Sequence, residues 1–155
     1  MERARKEKTN YREIFRHSGI GVFLWYSTKD AVDACGELRS SIYALEGVFG
    51  LEGHDSVPVQ VLRRECSAAI KKAEVELSKL RNHGGDVAQE LARYRRNMGR
   101  LRGGRPPVNT REAREGMARA YHSQKQIYEK ALEHKKWVDG MIKTLTKLIG
   151  KARRL

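Results

Sequence analysis

The sequence lacks the features that define several large protein classes. Its 155 residues include two cysteines, Cys35 and Cys66, too few for a disulfide framework or a four-ligand zinc site. The longest apolar run, Ile20–Tyr26, falls far short of the ~20 residues that cross a bilayer, and the three glutamates before it do not suit a targeting leader. We therefore expect a soluble cytoplasmic protein with no membrane contact. Both cysteines fall on apolar helical stripes, which predicts buried, reduced thiols.

Acidic residues are also scarce in most of the chain. There are 32 Lys and Arg against 19 Asp and Glu, so the formal net charge is +13. Residues 1–56 carry a net −1 and residues 57–155 a net +14. The last hundred residues should therefore attract polyanions, whereas the nearly neutral first third is better suited to contact with protein.

Apolar residues recur at helical spacing and predict an all-α fold. The expected architecture is an antiparallel bundle of about four main helices with a long C-terminal helix. The first follows a capping box at Ser27–Asp30, and the second follows Val57-Pro58. Asn82–Gly85 is interpreted as a helix stop, and a third helix begins at Asp86. The fourth begins near Thr110 and runs to about Gly150. Residues 1–26 are expected to be an N-terminal arm with an apolar packing segment, and residues 27–155 the bundle domain.

The fourth helix, of ~60 Å, would be longer than any predicted neighbour. Part of its apolar stripe should then be left uncovered and need a second protein or a second copy of the chain. The predicted protein-contacting residues are Phe23, Trp25, Tyr26, Trp137, Met141, Ile142, Leu145, Leu148 and Ile149.

Arginines without acidic neighbours mark the candidate binding site. Six arginines lie within Arg93–Arg105, and only Glu90 is near enough along the helix to neutralise any of them. A second basic group closes the chain, where the helix dipole also favours cations. Planar guanidinium groups suit phosphate oxygens. The predicted nucleic-acid-binding residues are Arg93, Arg95, Arg96, Arg100, Arg102, Arg105, Lys136, Lys143, Lys147, Lys151, Arg153 and Arg154.

Aromatic side chains near these cations have two interpretations. Tyr94, Tyr121 and Tyr128 lie at helical spacing beside the apolar stripe, which favours packing over stacking on bases. Two columns of mostly apolar residues, each repeating every seven positions, run along the centre of the fourth helix, and His134 belongs to one of them. Trp137 is the position where stacking is expected, because it follows Lys136 and lies off both columns. There is no zinc-finger spacing, RNA-binding aromatic signature or recognition helix that would predict sequence readout.

Catalytic motifs are weak. Arg12 and His17 have the Arg-x4-His spacing used by some helical-bundle ribonucleases, but that spacing is common by chance in a basic protein. His54-Asp55 lacks the further ligands that a phosphohydrolase metal pair needs. We therefore expect a protein that is not an enzyme, with no cofactor, no metal and no small-molecule substrate.

These observations together predict a non-catalytic helical subunit. It would bind DNA or RNA backbone without sequence specificity and contact other protein subunits or itself. Helical small subunits of CRISPR-type effectors, ribosome-like particles and reverse-transcriptase-associated complexes are analogues of composition and architecture only. The alternatives are a protein-only adaptor or oligomerisation bundle with an acidic partner and, less favoured, a helical-bundle ribonuclease.

Overall fold

Three helices account for nearly all the residues whose structure is described. The computed structural model describes residues 28–52, 57–103 and 110–155, which form α1 (Thr28–Glu52), α2 (Val57–Gly103) and α3 (Arg111–Arg153). These ranges contain no strand, which confirms the all-α class, and they hold three helices where the sequence predicted four. The predicted arm over residues 1–26 lies outside the described residues. No described helix has an apolar stretch long enough to span a membrane.

The predicted helix stop at Asn82–Gly85 is wrong. α2 continues through it for 47 residues, joining the second and third predicted helices. Two glycines in a helix interior cost about 1 kcal/mol each. That cost is offset because the buried face stays in phase across them: Leu80, His83, Val87 and Leu91 follow at spacings of 3, 4 and 4, and all four are buried.

The described residues fall into two compact units, and α2 and α3 each contribute to both. Of the described residues, the first unit comprises 28–52, 57–82 and 138–155. Its core is built from apolar stripes of all three helices, and the predicted stripe residues Leu38, Leu77 and Leu145 are among those buried. Cys35 and Cys66 are free and buried here, as predicted, and burial raises the pKa of each thiol.

Exposed polar contacts also join the helices of the first unit. Lys72 Nζ lies 2.8 Å from Glu37 Oε1, which joins α2 to α1 and raises the pKa of Lys72. Arg63 Nη1 donates to the backbone oxygen of Leu155 at 3.2 Å. These contacts bring together residues 35 and 92 positions apart in the chain, so they hold helices that are distant in sequence.

The second unit, which includes described residues 83–103 and 110–137, pairs the end of α2 with the beginning of α3. Val87, Leu91, Tyr94 and Ala131 form its buried core, with Ile127, Tyr128 and Leu132 packed against it. His83 contacts His134, and Arg95, further along α2, contacts Tyr128, which comes earlier on α3. The two helical segments therefore run antiparallel. Thr110 caps α3, because its Oγ1 accepts from the backbone N–H of Ala113 at 3.2 Å.

The expectation that the end of α3 overhangs its neighbours is also corrected. Val138, Leu145 and Ile149 are buried in the first unit, with Leu145 fully enclosed. The sequence predicts an overhang of the C-terminal helix because it predicts that the second helix ends near residue 82. With α2 of 47 residues and α3 of 43, the two long helices have similar lengths.

Candidate nucleic-acid interface

Arginines on the last three turns of α2 form a cationic face of the second unit. We call the described members the arginine surface: Arg93, Arg95, Arg96, Arg100 and Arg102, all exposed. Arg93, Arg96 and Arg100 share one side of this helix segment. Arg95 and Arg102 lie on another flank, next to the packed side where Leu91 and Tyr94 are buried and Met98 is half-buried. Packing thus fixes which sides of the helix carry these arginines. The predicted site residue Arg105 lies outside the described residues.

Two members of the arginine surface have partners within the chain. Arg93 donates to Glu90 Oε2 through Nη2 at 2.8 Å and Nε at 3.0 Å, which raises the pKa of Arg93. Arg95 donates to the Tyr128 hydroxyl through Nη2 at 2.8 Å and Nε at 3.3 Å. The Arg93 side chain remains 47% exposed. An exposed pair of this kind contributes about 0.5 kcal/mol, so a phosphate can compete for Arg93 at small cost.

The other three members make no hydrogen bond or ion pair within the described part of the chain: Arg96, Arg100 and Arg102. Arg96 and Arg100 stand four residues apart, where like charges destabilise a helix by roughly 0.2–0.5 kcal/mol. An anion bound between them would relieve that repulsion. Arg102 lies seven residues after Arg95 and therefore projects from the same flank of α2.

The whole second unit is cationic. Its described residues include twelve Lys and Arg against six Asp and Glu. Three of those carboxylates, on Glu90, Glu115 and Glu133, already lie within 4 Å of a cation of the same helix. Lys136, a predicted contact residue on α3, is exposed. The field at this surface therefore favours an anionic ligand.

The basic group that closes the chain belongs to the first unit, and the structure changes its interpretation. This C-terminal cluster consists of Lys143, Lys147, Lys151, Arg153 and Arg154. The last four have no acidic residue within four positions along the sequence, yet Lys151 Nζ lies 3.3 Å from Glu46 and Arg153 is hydrogen-bonded to Glu74. Both acids are distant in sequence, so no local rule reveals them. Lys143, Lys147 and Arg154 are exposed and make no ion pair among the described residues.

The predicted protein-contacting residues differ in burial, and some lie outside the described residues. Leu145 and Ile149 are buried inside the first unit, while Met141, Ile142 and Leu148 are half-buried there. Phe23, Trp25 and Tyr26 lie outside the described residues.

The aromatic residues of the second unit also take different positions. Tyr94 is only 3% exposed and therefore cannot stack on a base. Trp137, half-buried, stacks on His134 with ring centres 6.0 Å apart and an interplanar angle of 13°. Tyr121 and Tyr128 are half-buried.

A buried histidine pair went unrecognised in the sequence. His83 and His134 meet with their Nε2 atoms 2.6 Å apart, so one ring donates its N–H to the bare nitrogen of the other. Burial lowers the pKa of His83 to about 4, although Asp86 acts in the opposite direction. Burial, together with His83, lowers the pKa of His134 to about 3. His134 belongs to a predicted apolar column of α3, and this position in the sequence is the signal that could have indicated its burial. His83 gives no such signal, because it lies in the predicted helix stop.

The residues of the weak catalytic motifs, Arg12, His17 and His54, lie outside the described ranges. Within those ranges, no group of three or more His, Cys, Asp or Glu side chains could hold a metal ion.

Comparisons with protein-family models, with curated proteins and with solved structures find no match to this chain.

Proposed function

We propose that this protein is a non-catalytic helical subunit that binds the backbone of a nucleic acid without sequence specificity, within a nucleoprotein or ribonucleoprotein assembly. The observation that carries the proposal is the set of three exposed arginines, Arg96, Arg100 and Arg102, without an acidic partner in the described part of the chain. Each guanidinium presents several N–H donors in one plane, which matches the oxygens of a phosphate.

The expected binding energy comes mainly from released counterions. A protein that neutralises Z phosphates of duplex DNA loses affinity with a slope of about −0.9Z in a plot of log affinity against log salt. The five members of the arginine surface would therefore give a slope of about −4 to −5. Backbone contacts of this kind fix position and carry no sequence information.

The test compares two variants with the same net charge. The triple variant Arg96→Gln, Arg100→Gln and Arg102→Gln removes the unpaired members of the arginine surface. The control variant removes three exposed cations of the first unit instead: Arg39→Gln, Arg64→Gln and Lys71→Gln. Fluorescence anisotropy with labelled oligonucleotides of two unrelated sequences, at several salt concentrations, measures affinity and salt slope.

The arginine-surface variant should weaken binding of both sequences alike and reduce the salt slope by about three for duplex DNA. The control should lose much less affinity, because only the overall field is reduced. Equal losses in the two variants would refute a local site. No binding by the wild-type chain at about 50 mM salt would refute the function itself.

The alternative is a protein-only adaptor that binds an acidic partner. Four exposed large apolar side chains in the first unit favour contact with protein: Tyr43, Val57, Val61 and Val75 are 81%, 71%, 46% and 54% exposed. Such an adaptor would show no shift with short DNA or RNA in the same assay. Binding to both partners weakens as salt rises, so direct binding of DNA or RNA separates the two functions where salt sensitivity alone does not.

A further inference from the structure

One flank of the second unit combines cations with tyrosines. There α2 and α3 run antiparallel, and Arg95 on α2 reaches the Tyr128 hydroxyl on α3. The Arg95 guanidinium carbon also lies 5.8 Å from the centre of the Tyr128 ring. Nε and Nη2 each contribute one N–H to the hydroxyl, so three of the five guanidinium N–H groups are left for another acceptor. The tyrosine thus holds this arginine in a defined orientation.

The same residue types recur one heptad away. Seven residues are close to two helical turns, so a step of seven returns to the same side of a helix and advances about 10.5 Å. Moving forward on α2 leads from Arg95 to Arg102, and moving back on α3 leads from Tyr128 to Tyr121. The antiparallel register therefore places Arg102 and Tyr121 across from each other on this flank, but no hydrogen bond or ring contact joins these two described side chains. Arg102 is exposed and Tyr121 half-buried.

A further cation lies between the two tyrosines. Lys125 follows Tyr121 by four residues and precedes Tyr128 by three, so the three share one face of α3. Lys125 is exposed and makes no ion pair within the described residues. Along this flank, cations and aromatic rings therefore alternate over about two turns of helix.

Building on the proposed function, we infer that this flank is specific for single-stranded nucleic acid, with an unpaired base on Tyr121 and phosphates at Arg95, Arg102 and Lys125. Duplex bases are already stacked on one another, so a duplex offers this flank only its phosphates. A single strand offers ring faces as well, and stacking on an aromatic side chain contributes about 1–3 kcal/mol per base. Tyr121 is the stacking residue because Arg95 already occupies Tyr128.

The experiment measures affinity for a labelled 12-nucleotide oligo(dT) and for a labelled 12-base-pair duplex by anisotropy. Tyr121→Leu removes the ring and keeps an apolar side chain. Tyr43→Leu is the matched control, because Tyr43 is 81% exposed and belongs to the first unit. We expect Tyr121→Leu to weaken oligo(dT) binding at least fivefold and duplex binding less than twofold, and Tyr43→Leu to change neither.

The two variants distinguish a failure of the single-strand inference from a failure of the proposed nucleic-acid-binding function. If Tyr121→Leu leaves oligo(dT) binding unchanged while the arginine-surface variant weakens both ligands, the single-strand inference is overturned and backbone binding stands. If neither ligand binds the wild-type chain, the proposed function falls.

Ultraviolet crosslinking of wild-type protein to a single strand containing 4-thiouridine gives a readout that does not depend on a variant folding. Mass spectrometry should locate the crosslink at Tyr121 or its neighbours on α3. Crosslinks confined to the first unit would overturn the inference.

Discussion

Acidification should destabilise this protein through its buried histidine pair. His83 and His134 are 4% and 2% exposed, and burial lowers their pKa values to about 4 and about 3. In the unfolded chain a histidine titrates near pH 6.5. Between pH 6.5 and pH 4 the unfolded state therefore binds more protons than the folded state, so the free energy of unfolding must fall as the pH falls.

The magnitude follows from the size of the two shifts. Each histidine should remove about 2 kcal/mol of stability between pH 7 and pH 5, and the pair about 4 kcal/mol. Small domains are commonly stable by only 5–15 kcal/mol, so this loss would be a large share of the total. Urea unfolding followed by circular dichroism at 222 nm, at pH 7, 6 and 5, measures it.

Variants identify the source of the pH dependence. The double variant His83→Gln and His134→Gln should lose most of the pH slope, whereas His122→Gln, at an exposed position on α3, should keep it. An unchanged slope in the double variant would refute the reasoning. NMR titration of the assigned His83 and His134 imidazole protons provides a second test, because a pKa near 6.5 for these two rings would contradict burial of the neutral pair.

Three further predictions concern the fold. Gly85→Ala should raise the free energy of unfolding by about 0.5–1 kcal/mol, since Gly85 lies inside a continuous helix with open space around it; destabilisation would indicate the helix stop that the sequence suggested. Leu145→Ala should lower the free energy of unfolding by about 2–5 kcal/mol in urea titrations, because Leu145 is fully buried in the first unit, and a loss below 1 kcal/mol would show that this side chain is not enclosed. Cys35 and Cys66 should react with a disulfide reagent far more slowly in native protein than in urea, because burial protects both thiols and raises each pKa; equal rates would contradict that burial.

The paired and unpaired cations suggest a division of roles between the two basic groups. In the C-terminal cluster, Lys151 and Arg153 each contact an acid of another helix in the first unit. In the arginine surface, Arg96 and Arg100 contact no acid in the described part of the chain. The proposed function therefore places the principal phosphate contacts on the arginine surface and secondary contacts at Lys143, Lys147 and Arg154.

The sequence by itself determined the helical class, the residues of the buried stripes and the scarcity of acids near the arginines. These are local properties: a stripe such as Ala31, Cys35, Leu38 repeats every three to four residues, and an acid must lie within about four residues to pair on the same helix. Tertiary structure decided the continuity of α2, where burial of His83 and Val87 outweighs two unfavourable glycines. It also decided the pairing of Arg153 with Glu74, 79 residues away, because contacts between helices depend on register and direction.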